Sequence, residues 1–127
     1  MTLLDGIISR VIDTDRIAVG ILEREGDDAA APPERTLVLI HGNVSSSLFW
    51  QEFMQDLPGD LRVIAVDLRG FGTSEHAPID ATRGVRDFCD DVHAALTTLG
   101  IPTAHFMGWS MGGGVVLQYA LDHPALS

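Results

Sequence analysis

Basic residues are scarce in this sequence, and lysine is missing altogether. Eight arginines stand against 18 aspartates and glutamates, which gives a formal net charge of -10. An acidic surface is repelled by nucleic acids and by anionic membranes. The composition therefore argues against both classes of partner.

Cysteines and long hydrophobic runs are also lacking. Cys89 is the single cysteine, so no internal disulfide can form and a reducing compartment is allowed. No apolar run approaches the ~20 residues that cross a bilayer. Residues 1–10 lack the basic-then-apolar pattern of a signal peptide. We therefore expect a cytoplasmic protein.

The residues that are present suit one folded domain. The chain has 127 residues, of which 46% are hydrophobic and 20% are charged, as in ordinary globular domains. Two short β-branched runs within residues 3–24 flank Asp13-Thr14-Asp15, and they predict an antiparallel hairpin. Residues 25–35 are rich in Asp, Ala and Pro, which indicates a solvated loop.

Strand and helix patterns alternate over residues 36–127. Uninterrupted apolar runs, typical of strands covered on both faces in a parallel sheet, occur at residues 37–40, 63–66 and 104–107. Apolar residues spaced three and four apart predict helices around residues 50–57, 85–99 and 115–120. The order is a hairpin followed by β-α-β-α-β-α, so we predict an open α/β sheet with right-handed crossovers.

The third run leads into a motif that carries chemistry. Gly108-Trp109-Ser110-Met111-Gly112 has the form G-x-S-x-G, directly between a predicted strand and a predicted helix. Glycines two positions either side of the serine allow the sharp turn that exposes its hydroxyl. The helix that follows aims free N–H groups at the same place. We also expect Gly113 and Gly114 to permit close packing of helix on strand.

Two further clusters follow the other predicted strands, and the carboxyl ends of parallel strands meet at one edge of a sheet. They are His41-Gly42-Asn43 and the segment D-x-R-G-x-G-x-S over residues 67–74. With the G-x-S-x-G motif, these clusters make the chain resemble the N-terminal part of an α/β-hydrolase-fold serine hydrolase. The resemblance extends over essentially the whole chain, up to the nucleophile elbow and its helix.

The resemblance implies a role for each of five residues. Ser110 would be the nucleophile, and the backbone N–H groups of Met111 and Asn43 would form the oxyanion hole. Gly42 and Trp109 would contact a small-molecule substrate. Because related dehalogenases and epoxide hydrolases carry aspartate in place of the serine, an ester or a lactone-like substrate is expected, with no cofactor.

The remaining candidate side chains have plainer interpretations. We expect His41 to hold the oxyanion loop, Asp67 to accept backbone N–H groups, and Arg69 to form a structural ion pair. Phe49 and Trp50 are expected in the core, with one ring free to face the site. We expect His105 to be a hydrogen-bonded residue of the core and Cys89 to be buried. We expect His93 to be solvated. Ligand spacings such as C-x-x-C are lacking, so no metal is expected.

The general base and acid of the resemblance have no counterpart, because only 17 residues follow Ser110. We therefore expect this chain to lack the C-terminal half of the fold. The elbow strand would then form a sheet edge that self-associates or pairs with that half. A non-catalytic remnant, or a module that binds a small ligand or a partner, is an alternative. Cofactor-free oxygen chemistry or hydrolysis of a C–C bond on the same fold is another.

Overall fold

The computed structural model describes residues 2–123, which form one five-stranded sheet with helices on both faces. The β-branched and apolar runs of the sequence become strands β1 Ile7–Asp13, β2 Ala18–Arg24, β3 Thr36–Ile40, β4 Arg62–Val66 and β5 His105–Gly108. The helices are α1 Gln51–Asp56, α2 Arg86–Thr98 and α3 Met111–Asp122. Short 3-10 turns cover Pro33–Arg35, Ser47–Trp50 and Ala81–Arg83.

The strands lie in the order β1-β2-β4-β3-β5. β1 pairs with β2, and β2 with β4, in antiparallel fashion, whereas β3 pairs in parallel with both β4 and β5. The hairpin and the parallel strands predicted from the sequence are confirmed. The carboxyl ends of β3, β4 and β5 share one edge of the sheet, where residues 41–43, 67–74 and 108–112 follow them.

Two apolar clusters hold the helices onto the sheet. One face of the sheet packs against α2 and α3, with Phe88, Val92, Val115 and Tyr119 buried there. The opposite face packs against Trp50 and α1, whose Met54 is fully buried. The apolar run of β4, residues 63–66, is buried at every position, as this double covering requires.

The margin formed by β5 and α3 is less covered than the rest. Within residues 2–123, no strand pairs with the outer edge of β5, and Leu117 and Leu121 of α3 are 70% and 76% exposed. The expectation of a buried core position for His105 is wrong, because its side chain is exposed. Side chains alternate along a strand, so Phe106 faces Tyr119 on one side of the sheet. His105 and Met107 point to the other side, which α1 covers only further from β5, and both are exposed.

Candidate active site at the carboxyl edge of the sheet

Ser110 lies at the apex of a sharp turn between β5 and α3. Its φ of 56° and ψ of -118° fall in a region that non-glycine residues seldom adopt. Its side chain is exposed, and its hydroxyl forms no hydrogen bond with another atom of residues 2–123. A backbone conformation of this kind costs about 1–3 kcal/mol, and residues that keep it are concentrated at functional sites. The turn therefore marks Ser110 as a candidate functional residue.

The two outer glycines of the motif are required by close backbone contacts. A Cβ on Gly108 would lie 2.3 Å from the Gly112 carbonyl oxygen, and a Cβ on Gly112 would lie 2.3 Å from the Ile40 carbonyl oxygen. The expected packing role of Gly113 and Gly114 is wrong. A Cβ on Gly113 would make only an ordinary contact at 3.8 Å, and one on Gly114 would meet no atom within 4 Å.

Gly42 and Trp109 are brought against Ser110 by a bond between neighbouring strand ends. The Trp109 N–H donates to the Ile40 carbonyl at 3.0 Å, next to the β3–β5 pairing of Ile40 with Gly108. A Cβ on Gly42 would lie 3.0 Å from Trp109 Cδ1 and 3.2 Å from Ser110 Cβ. The loop after β3 and the elbow are therefore in van der Waals contact, and a side chain at position 42 would crowd Trp109 and Ser110.

Two backbone donors near the elbow are uncommitted. The N–H groups of Met111 and Asn43 donate no hydrogen bond to any atom in the described part of the chain. Met111 begins α3, so its N–H lies at the positive end of the helix dipole. The adjacent Val44 also has a positive φ, 52°, and its N–H donates to Asn43 Oδ1 at 3.0 Å. Such donors can stabilise a negatively charged oxygen.

His41 is committed to holding the loop that carries Asn43. Its side chain is fully buried, Nδ1 donates to the Gly42 carbonyl at 2.7 Å, and Nε2 accepts the Leu68 N–H at 3.0 Å. The acceptor role of Nε2 fixes the proton on Nδ1. Burial lowers the pKa of His41 below 6.5 and keeps the ring neutral. With both nitrogens occupied, His41 has none left to take a proton from Ser110.

The two charged residues of the 67–74 segment are structural, as the sequence predicts. The Asp67 carboxylate accepts the Ser47 N–H at 2.7 Å and both the N–H and the hydroxyl of Thr73 at 3.1 Å. Arg69 forms a bidentate pair with Asp91 of α2, with both N–O distances at 2.8 Å. The segment is thereby fixed to α2 on one side and to the β3 loop on the other.

Phe49 is a neighbour of the site that the helical periodicity did not identify. Its ring stacks on that of Trp109, with centroids 6.0 Å apart and an interplanar angle of 27°. Of the pair expected in the core with one ring free to face the site, Trp50 is buried and Phe49 is exposed. Its position in the sequence could have indicated this, because Phe49 follows Asn43 by only six residues, in the segment after β3 that lies beside the elbow.

Other polar groups lie away from the elbow. The prediction that His93 is solvated is wrong: the ring is half-buried, stacks on His123 with centroids 4.2 Å apart, and bonds the Tyr119 hydroxyl at 3.2 Å. Among residues 2–123, no group of three His, Cys, Asp or Glu side chains is arranged to hold a metal ion. The helices of this region are too short or too polar to cross a membrane.

The chain is similar in sequence to known proteins. The family model described as alpha/beta hydrolase fold matches residues 35–126. The chain is 37% identical over 116 residues to 2-hydroxymuconate semialdehyde hydrolase from Pseudomonas sp. (strain CF600), covering 89% of this chain and 40% of the relative. It is 35% identical over 102 residues to pimeloyl-[acyl-carrier protein] methyl ester esterase from Aliivibrio salmonicida (strain LFI1238), covering 80% and 33%.

Solved structures agree in fold. The crystal structure of a membrane phospholipase A, described as a bacterial virulence factor, superposes with a TM-score of 0.79 at 29% identity, covering 95% of this chain and 37% of that one. The chain therefore spans at most about two fifths of the length of these similar proteins.

Proposed function

This chain belongs to the alpha/beta hydrolase fold family, and on that premise we propose that it carries the nucleophile and the oxyanion hole of a serine hydrolase. The observation that carries the proposal is the strained, exposed Ser110 beside two uncommitted N–H groups. We assign Ser110 as the nucleophile and the N–H groups of Met111 and Asn43 as the oxyanion hole. Gly42 and Trp109, which touch the elbow, would contact the substrate.

The proposed reaction is acyl transfer from a carboxylic ester or a lactone-like substrate to water. Ser110 Oγ attacks the carbonyl carbon while a general base takes its proton, and the two N–H groups stabilise the oxyanion of the tetrahedral intermediate. The C–O bond to the leaving alcohol then breaks and the alcohol takes that proton. Water attacks the acyl-enzyme and releases the acid. The relative named as a methyl ester esterase supports an ester substrate.

The base and its orienting acid are proposed to come from polypeptide outside residues 2–123. His41 is excluded as the base by its two hydrogen bonds. The similar proteins are more than twice as long as the segment that matches this chain. A later part of such a fold would bring the missing pair to the carboxyl edge of the sheet.

A non-catalytic binding module is the second candidate. It is favoured by one observation: the Ser110 hydroxyl has no hydrogen-bonded base within the described residues. In that case the exposed surface at the elbow would bind a small ligand without turning it over. Fold membership alone does not decide between the two functions.

A fluorophosphonate probe separates the candidates. The longest product of the reading frame is incubated with the probe, and the labelled peptide is identified by mass spectrometry. A serine hydrolase is labelled at Ser110, Ser110→Ala abolishes labelling, and Ser45→Ala, a change in the neighbouring β3 loop, leaves it intact. Absence of labelling, or labelling that survives Ser110→Ala, would reject the hydrolase and favour the binding module.

A further inference from the structure

Two aromatic side chains stand exposed beside Ser110, and we call Phe49 and Trp109 the aromatic platform. They are 53% and 58% exposed although they belong to the largest apolar side-chain types. They come from separate parts of the chain, since Phe49 lies in the 3-10 turn after β3 and Trp109 directly precedes Ser110. Their rings are nonetheless stacked. The platform is therefore an assembled surface rather than two isolated exposed residues.

Neighbouring residues fix both rings in place. Trp109 Cδ1 lies only 3.0 Å from where a Cβ on Gly42 would be, so the indole lies over Gly42. The Phe49 ring meets the buried Trp50 edge to face, with centroids 5.2 Å apart and an interplanar angle of 77°. Rings held in this way lose little conformational entropy when a ligand binds.

The two chain segments that carry the platform contain no charged residue. Residues 41–50 and 106–119 contain no Asp, Glu, Lys or Arg, although a fifth of the chain is charged. Val44, which is 88% exposed, adds another apolar side chain to the same loop. These segments themselves offer a ligand flat aromatic faces and backbone N–H groups but no charged side chain. The segments therefore favour an uncharged group over an ionic one.

We propose that the aromatic platform binds a planar, uncharged group of the substrate, such as an aromatic or conjugated acyl group. The inference deepens the proposed function and rests on it, because the platform adjoins Ser110, where the carbonyl would be attacked. Aromatic rings in offset or edge contact gain about 0.5–1.5 kcal/mol beyond the burial of their area. A flat ring should therefore bind about fivefold more tightly than a saturated ring of the same carbon number.

The test measures binding to the 127-residue chain and needs no turnover. Trp50→Phe leaves Trp109 as the only tryptophan and keeps an aromatic ring at position 50, where the Phe49 ring is held. It removes no hydrogen bond, because the Trp50 indole N–H has no partner within residues 2–123. Trp109 fluorescence is titrated with methyl benzoate and with methyl cyclohexanecarboxylate. We expect saturable changes with both esters and about fivefold tighter binding of methyl benzoate.

Variants of this single-tryptophan chain identify the residue that provides the preference. Phe49→Leu keeps an apolar side chain but removes the ring, so the preference should fall towards onefold. Phe53→Leu is the matched control, because it removes a nearby ring that, in the unsubstituted chain, meets Trp50 and not the Trp109 ring on which Phe49 stacks. It should keep the preference. Equal affinities in the starting chain, no saturable change with either ester, or a preference that survives Phe49→Leu would each overturn the inference.

The two proposals fail in different ways. Ser110→Ala removes the proposed nucleophile but leaves both rings, so the preference for methyl benzoate should persist. A persistent preference without fluorophosphonate labelling would retain the platform and reject the nucleophile. Labelling at Ser110 without any preference would do the reverse.

Discussion

The Asp67 carboxylate accepts the backbone N–H of Ser47 at 2.7 Å, across 20 residues of sequence. This bond ties the end of β4 to the loop that carries Asn43, and the same side chain also fixes Thr73. Asp67 is buried, and no cation pairs with it among residues 2–123. Its carboxylate is therefore stabilised by backbone N–H and hydroxyl donors alone.

We predict that Asp67→Ala lowers the free energy of unfolding by about 3 kcal/mol, because buried donors lose a charged acceptor. Urea denaturation measures the change. Asp60→Ala is the matched control, since Asp60 is an exposed carboxylate paired with Arg35 and its loss should cost less than about 1 kcal/mol. Equal losses in the two variants would contradict the role assigned to Asp67.

Two glycines of the elbow helix should respond in opposite directions to the same substitution. Gly112→Ala places a Cβ 2.3 Å from the Ile40 carbonyl oxygen, and we expect a loss of about 3 kcal/mol through backbone displacement. Gly114→Ala meets no neighbouring atom and should stabilise α3 by about 0.5–1 kcal/mol. Thermal melts of both variants check the prediction, which fails if the two changes have the same sign.

Stability should decrease as the pH falls from about 7 to 5. Burial and the stacked His123 lower the pKa of His93 below 6.5, against an opposing effect of Asp90, so the unfolded chain binds the proton more tightly. The lowered pKa of His41 acts with the same sign. His93→Gln should make the decrease shallower, whereas His76→Gln, at an exposed site, should not. Urea titrations at each pH measure the slope, and an unchanged slope in His93→Gln would refute the assignment.

Cys89 should resist alkylation in the folded chain. The thiol is fully buried between α2 and α3 and lies 3.3 Å from the Val115 carbonyl oxygen. Burial raises its pKa to about 12, so almost no thiolate forms at neutral pH. We expect iodoacetamide to react at least about 100-fold faster in guanidinium than in native buffer. Rapid labelling of the folded chain would show that the α2–α3 contact opens.

The 127-residue chain should self-associate through β5 and α3. Leu117 and Leu121 expose an apolar face beside an unpaired strand edge in the described region. Sedimentation velocity should show dimers or larger species, and Leu117→Glu with Leu121→Glu should shift them towards monomer. Val11→Glu, on the exposed side of β1 at the other end of the sheet, is the control and should not. A monomer at every concentration would contradict the prediction.

Local patterns were sufficient to predict the elements of the fold. The runs at residues 37–40 and 63–66 became β3 and β4, and the elbow followed the third run as expected. Chain order does not reveal that β4 lies between β2 and β3. That arrangement depends on which faces of the strands pack together, which periodicity along one segment cannot show.

Side-chain environments were harder to predict where two distant segments meet. Phe49 and Trp50 were expected in the core with one ring free to face the site, but which ring does so is set by Trp109, 60 positions after Phe49. His105 sits in an apolar run, yet its burial depends on a covering layer that α1 does not provide. Position 42 shows the same dependence, because the little space for a side chain there is set by Trp109 and Ser110.

The position of β3 has a consequence during synthesis. Both of its neighbours, β4 and β5, are later in the chain, so β3 leaves the ribosome before either partner exists. One edge of β3 can pair fully only after residue 66 has been synthesised, and the other edge only after residue 108. During that interval a strand of five mostly apolar residues is open to pairing with nascent neighbours on the same message. Slower translation between β4 and β5 should therefore lower the yield of native chain.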